Sequence, residues 1–124
     1  MKRNDIYKCK KDGVVFEILS NVNIDIPKDA SIENFNEQTA DFATEKHVLI
    51  LTETEQGIKV TVGSTIHPMT EEHFIEWIEV INGDYVNRKY LNPGDAPEAE
   101  FYVKKQDGLI VRQFCNVHGL WKNN

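Results

Sequence analysis

The chain has 124 residues, and its 14 Lys plus Arg against 20 Asp plus Glu leave a net charge of -6 at neutral pH. That length fits one ordinary domain, or one domain with a small appendage, and it buries a core without covalent staples. The acidic balance argues against nucleic acid or an anionic membrane surface as the main partner.

Met1 to Ile6 is followed by polar and charged residues, without the apolar run of a secretory signal, and no long apolar segment occurs later. A soluble, cytoplasmic protein is expected. Ile6 to Leu19 reads as a hairpin about Asp12-Gly13, whereas Ser20 to Thr44 is polar and poor in periodic hydrophobics. Residues 1–40 are therefore expected to form a small N-terminal unit and linker, and residues 41–124 the main domain, with the boundary between 35 and 45. From Val48 onward the chain reads as strands over Val48–Glu53, Ile58–Val62, Phe74–Ile81, Tyr85–Tyr90, Ala99–Val103 and Leu109–Phe114. Turn chemistries separate them, including Glu55-Gln56-Gly57, Asn82-Gly83-Asp84, Asn92-Pro93-Gly94-Asp95 and Gln106-Asp107-Gly108. Strands at this spacing, with no helical period between them, predict an all-β sandwich. Phe74–Ile81 is apolar on both parities, which predicts a central strand covered on both faces with Trp77 in the core.

All four histidines and one of the two cysteines fall into three short clusters, ending at His47, spanning His67 to His73, and spanning Cys115 to His118. Singly, a histidine near a strand end is more often solvated than a ligand, and a lone cysteine is usually a small buried hydrophobe. Together they read as one mononuclear metal site. Six positions along a strand would separate His67 from His73 by about 20 Å, so a loop must fold back between them. Cys115 and His118 are a turn's reach apart. Four imidazoles and a thiolate exceed the four positions of structural zinc, while five ligands on an octahedral metal leave one position open. The candidate metal is iron. The cysteine usage fits a reduced compartment; a Cys9–Cys115 disulfide would remove the thiolate from the site.

Glu45-Lys46-His47, then Val60 to Ile78 with His67-Pro68-Met69-Thr70-Glu71-Glu72-His73, and finally Phe114-Cys115-Asn116-Val117-His118-Gly119-Leu120-Trp121-Lys122 resemble the three signature blocks of the superoxide reductase family. The likeness spans residues 45 to 122 and includes Pro93 to Ala99 between the blocks. It implies an Ig-like β-sandwich with one square-pyramidal non-haem iron. His47, His67, His73 and His118 would be equatorial and Cys115 axial. The sixth position would take superoxide, and Glu45 would occupy it in the ferric state. Lys46 would attract and hydrogen-bond the substrate anion; outside the motif, Glu45 and Lys46 would be ordinary surface charges. The implied reaction adds one electron and two protons to superoxide, giving hydrogen peroxide without dioxygen. An external donor such as rubredoxin would then re-reduce the iron. A ferrous ion with four neutral imidazoles and one thiolate is a net positive centre, which with Lys46 would give an acidic protein a local field for an anion. Glu71 and Glu72 read as solvated loop carboxylates. Backbone N–H groups of Asn116-Val117-His118 could hydrogen-bond the sulfur, and a homo-oligomer, dimer or tetramer, is expected.

Ile6 to Leu19 also resembles the desulforedoxin-like domain of two-iron relatives, in which a Cys-x-x-Cys pair and a later Cys-Cys pair bind a second iron. Here Cys9 is kept, Asp12 stands at the second position and the later pair is missing. No second four-cysteine iron centre is expected. Val48-Leu49 replaces a proline that many relatives carry after the Glu-Lys-His block. The alternatives to a reductase are dismutase-like activity at the same iron, a non-catalytic iron electron-transfer module, and an interaction domain with incidental histidines.

Overall fold

The fold comes from a computed structural model, which describes residues 1–39 and 46–123. The chain divides into two compact units, Met1–Asn36 and Glu37–Asn124. No helix among the described residues is long and apolar enough to cross a membrane.

The first unit is a three-stranded antiparallel sheet. β1 (Ile6–Cys9) lies between β2 (Val15–Glu17) and β3 (Ile32–Asn34). The turn expected at Asp12-Gly13 joins β1 to β2: the Asp12 carboxylate accepts the Val14 N–H at 3.0 Å, and the Gly13 N–H donates to the Cys9 carbonyl at 2.9 Å. Ile6 and Tyr7 are buried, and Tyr7 stacks on Phe16 at 5.9 Å. β3 rises from the stretch expected to be linker, with Ile32 its apolar residue.

The second unit contains β4 (Gln38–Thr39), β5 (Leu49–Glu53), β6 (Ile58–Val62), β7 (Ile75–Asn82), β8 (Tyr85–Tyr90), β9 (Glu98–Phe101), β10 (Ile110–Cys115) and β11 (Gly119–Lys122). They form a five-stranded sheet in the order β4-β11-β10-β7-β8 and a three-stranded sheet in the order β5-β6-β9. The pairings are antiparallel except β11 with β4, which is parallel. The all-β class and the sandwich are as expected. Strand alternation sends Ile58, Val60, Val62, Ala99 and Phe101 from one sheet, and Ile75, Ile78, Val80, Val111 and Cys115 from the other, into one shared core.

β7 is an interior strand, and its opposite face is also covered. In-register rows cross that face, Arg112–Glu79–Arg88 and Phe114–Trp77–Tyr90. Glu79, fully buried, accepts from Arg88 at 2.6 Å through one carboxylate oxygen and from Arg112 at 2.9 Å through the other. Trp77 is buried as expected, but on this face, stacked on Phe114 at 5.6 Å with the Arg88 guanidinium 4.7 Å from its ring.

Candidate metal centre

The residues of the three clusters come from both sheets. His47 sits in the turn before β5, His67 and His73 bracket the loop from β6 to β7, Cys115 ends β10, and His118 lies in the tight turn to β11. One ligand atom from each of the five residues lies within 4.8 Å of the others. Neighbouring ring centroids are 5.0 Å apart for His47–His67, 4.7 Å for His67–His73, 5.0 Å for His73–His118 and 4.8 Å for His118–His47. The four rings thus close a cycle, each edge-on to the next at 64° to 82°. Cys115 Sγ is 3.8 Å from His118 Nδ1.

Local hydrogen bonds explain why the loops hold this shape. The Thr70 and His73 N–H groups each donate to the other residue's carbonyl, at 2.9 and 3.2 Å, so the loop folds back as its two histidines require. Asn116 ties that loop to the Cys115–His118 turn: its side chain accepts the Phe74 N–H at 2.9 Å and donates to the Glu72 carbonyl at 3.0 Å. Gln113 occupies an inward position of β10 between Val111 and Cys115, and its amide donates to the His47 carbonyl at 3.3 Å. Trp121, paired with Gln113 across the strands, stacks on the His47 ring at 4.5 Å and 13°. Gln38 donates to the His118 carbonyl at 2.8 Å. Gly63, at φ +91°, lets the segments bearing His47 and His67 meet: its N–H donates to the Val48 carbonyl at 2.8 Å, and a Cβ there would lie 3.2 Å from the Lys46 carbonyl. Sequence reasoning missed Gln38, Gln113 and Gly63 as supports. Only Gln113 left a signal, a polar residue on an inward-facing position.

The donor set fits a metal. His47, His67 and His73 each bury an Nε2 that has no hydrogen-bond partner among the described residues, a costly arrangement for three imidazoles unless a cation takes their lone pairs. His67 Nδ1 lies 2.7 Å from the Pro68 carbonyl, which sets the tautomer with the proton on Nδ1 and the Nε2 lone pair facing the cluster. Burial first, and then the neighbouring histidines and Lys46, lower the His47 pKa to about 4. His67 and His73 are lowered as well, with burial again the main cause. Three of the imidazoles are therefore neutral ligands at physiological pH. Burial raises the Cys115 thiol, while N–H groups of His118 and Val117 pull it back down; the His118 N–H lies 3.4 Å from Sγ. These are two of the three backbone donors expected to tune the sulfur; the third, the Asn116 N–H, donates to the Phe74 carbonyl instead. Lys46 is exposed beside the cluster and its charge reaches His47, His67 and His73. Glu45 lies outside the described residues.

A β-bulge adjoins the sulfur. Phe114 pairs with Trp77 but Cys115 pairs with Ile75, so Glu76 is an extra residue on β7. The bulge shifts the alternation, which turns Ile75 into the core beside Cys115. Glu76 is half-buried, and burial raises its carboxyl pKa.

The comparisons agree with this geometry. The family model for desulfoferrodoxin matches residues 39–124. A desulfoferrodoxin of Nitratidesulfovibrio vulgaris is 45% identical over 119 residues, covering 95% of this chain and 94% of the relative. A superoxide reductase of Pyrococcus abyssi is 33% identical over 104 residues, covering 69% of this chain and 90% of its own length. Among solved structures, the superoxide reductase from Treponema pallidum superposes with a TM-score of 0.72 at 26% identity, covering 97% of each chain. The sandwich, the clustered histidines and cysteine, and likeness along nearly the whole sequence lead to one conclusion: this chain belongs to the desulfoferrodoxin family.

Proposed function

We propose that this protein is a superoxide reductase, taking one electron and two protons to convert superoxide to hydrogen peroxide. The observation that carries the reading is the closed cycle of four imidazoles with a cysteine sulfur beside it, all within 4.8 Å. His47, His67, His73, His118 and Cys115 would hold one iron ion, with no second four-cysteine centre. When bound, that iron supplies the one-electron Fe(II)/Fe(III) couple, with thiolate donation favouring electron transfer outward.

The chain's own residues do the rest. His47 and His67, buried and neutral, and His73 form the side of the cluster whose lone pairs have no partner among the described residues. Cys115 becomes the thiolate only by losing a proton that burial would otherwise keep on it, so the His118 and Val117 N–H groups stabilise the charge that metal binding demands. Lys46, exposed at the cluster, offers a positive charge and an N–H donor to an arriving anion in a chain whose net charge is -6. Glu45, its neighbour, would supply a carboxylate ligand to the oxidised iron, the role that the family resemblance implies. The electron comes from a small redox protein of the rubredoxin type. A degenerate desulforedoxin-like unit and linker precede the catalytic domain, whose sheet already takes in Gln38 and Thr39, in a cytoplasmic homo-oligomer, dimer or tetramer.

The test is metal analysis of the purified protein with its visible spectrum, followed by turnover with a superoxide source and a reduced donor. About one iron per chain, a sulfur-to-iron charge-transfer band bleached by reduction, and peroxide formed without dioxygen are expected. Dioxygen released alongside peroxide would make it a dismutase; zinc alone, or no metal after anaerobic iron reconstitution, would end the redox reading.

A further inference from the structure

Glu76 is a half-buried carboxylate with no ion pair or side-chain hydrogen bond among the described residues, set at the bulge beside Cys115. A lone carboxylate drawn from water is costly, and stable folds ordinarily pair it with a cation or with hydrogen-bond donors. Main-chain bonds anchor the bulge independently of that charge: the Glu76 carbonyl accepts the Leu91 N–H at 2.8 Å, and the Asn116 N–H donates to the Phe74 carbonyl at 3.2 Å. Glu76 directly follows Ile75, the cross-strand partner of Cys115, so ordinary sheet spacing puts its backbone roughly 5–8 Å from that of the cysteine. The cation that would compensate Glu76 is therefore the one held by Cys115 and the histidines.

We propose that Glu76 is a positioning residue of electrostatic kind, a fixed negative charge beside the iron–thiolate pair that stabilises the oxidised ion over the reduced one and so sets how readily the centre gives up its electron. The inference rests on the iron reading above. Ferric iron carries one more positive charge than ferrous, so a nearby carboxylate lowers the reduction potential, and the partly desolvated position leaves that field only partly screened. Its negative charge also acts on the Cys115 sulfur, opposing the thiolate in the metal-free protein.

The experiment is a redox titration of the iron-loaded full-length protein, followed at its charge-transfer band, for the wild type, Glu76→Gln, Glu76→Met and Glu76→Asp. Gln and Met keep the length of the side chain and remove the charge; Asp keeps the charge. Gln and Met should each shift the ferrous-to-ferric ratio at fixed ambient potential about tenfold toward ferrous, which is 59 mV for a one-electron couple, and Asp should stay near the wild type. A purely structural bulge residue would leave the potential of all folded variants unmoved, or move Asp as far as Gln, and either result overturns the inference while the iron assignment stands. A wild-type protein that takes up no iron overturns the functional reading and this inference with it.

Discussion

A methyl group added at Gly63 would sit 2.2 Å from the Thr65 carbonyl oxygen and 3.1 Å from the His67 nitrogen, on a backbone held at φ +91°. Backbone atoms cannot move aside as a flexible side chain can, so Gly63→Ala must distort the segment from which His67 projects. We expect a loss of roughly 2–4 kcal/mol in chemical denaturation together with reduced iron content. Unchanged stability would mean the turn relaxes freely and does not hold His47 and His67 together. Cys115→Ser tests the opposite combination. Serine is nearly isosteric with cysteine at this fully buried position, and its hydroxyl can accept the same backbone N–H groups, so the fold should survive at a cost of about 1–2 kcal/mol. The charge-transfer band and turnover should vanish, because no sulfur remains. A variant that kept the band would remove Cys115 from the site.

β7 and β10 carry a second constellation, on the face turned away from the shared core. Glu79 is fully enclosed, and each of its carboxylate oxygens accepts from a different arginine, Arg88 at 2.6 Å and Arg112 at 2.9 Å. Removing its charge leaves the buried Arg112 with only the Glu37 carboxylate, 3.3 Å away, among the described residues. Glu79→Gln should cost roughly 3–5 kcal/mol, as breaking one side of a buried ion pair does, with the iron spectrum of the folded fraction unchanged. A loss below about 1 kcal/mol would show that Arg88 and Arg112 find water instead. These elements also show where sequence was informative. The strands from Leu49 to Cys115 declare themselves through β-branched runs between Gly and Asn turns, and their ends moved by only a residue or two. β4 and β11 did not declare themselves: Gln38–Thr39 is too short for a period, and Gly119–Lys122 carries no alternation of its own. Both become strands by pairing with a neighbour. The bulge at Glu76 is half visible, since Ile75, Trp77, Ile78 and Val80 break strict alternation. A strand buried on both faces gives the same pattern, and both causes operate here. The five clustered side chains were legible because their residue types are scarce in this chain. Asn116, Gln113 and Gln38, which hold them in place, belong to types common on any surface, and only their partners identify them.

Folding of the whole chain is coupled to protons at the metal cluster, with signs fixed by the shifted groups. Without metal, His47 titrates at about 4 in the folded protein, and His67 and His73 are also lowered from the ordinary 6.5. Unfolding frees them to bind protons near 6.5, so below that pH the unfolded chain binds more protons than the folded one, and stability falls as pH falls toward 4. The slope reaches at most about 1.4 kcal/mol per pH unit for each histidine involved. Cys115 acts at the other end: its folded thiol is raised above the ordinary 9.0, so as pH rises past that value the unfolded chain loses its proton first and stability falls again. Metal-free protein should therefore be most stable between about pH 7 and 9. Bound iron widens the gap between the folded protein with and without metal in the neutral range, because it occupies only the folded cluster and displaces essentially the thiol proton there. As pH falls toward the lowered range of His47, His67 and His73, about 4 for His47, it must also compete with protons for these imidazoles, and iron retention should fall more steeply than one proton would produce. Denaturation of metal-free and iron-loaded protein at pH 5, 7 and 8.5 checks both parts. A metal-free midpoint that is flat between pH 7 and 5 would mean that the imidazoles are not held neutral by burial, and that the cluster opens to water before it binds its ion.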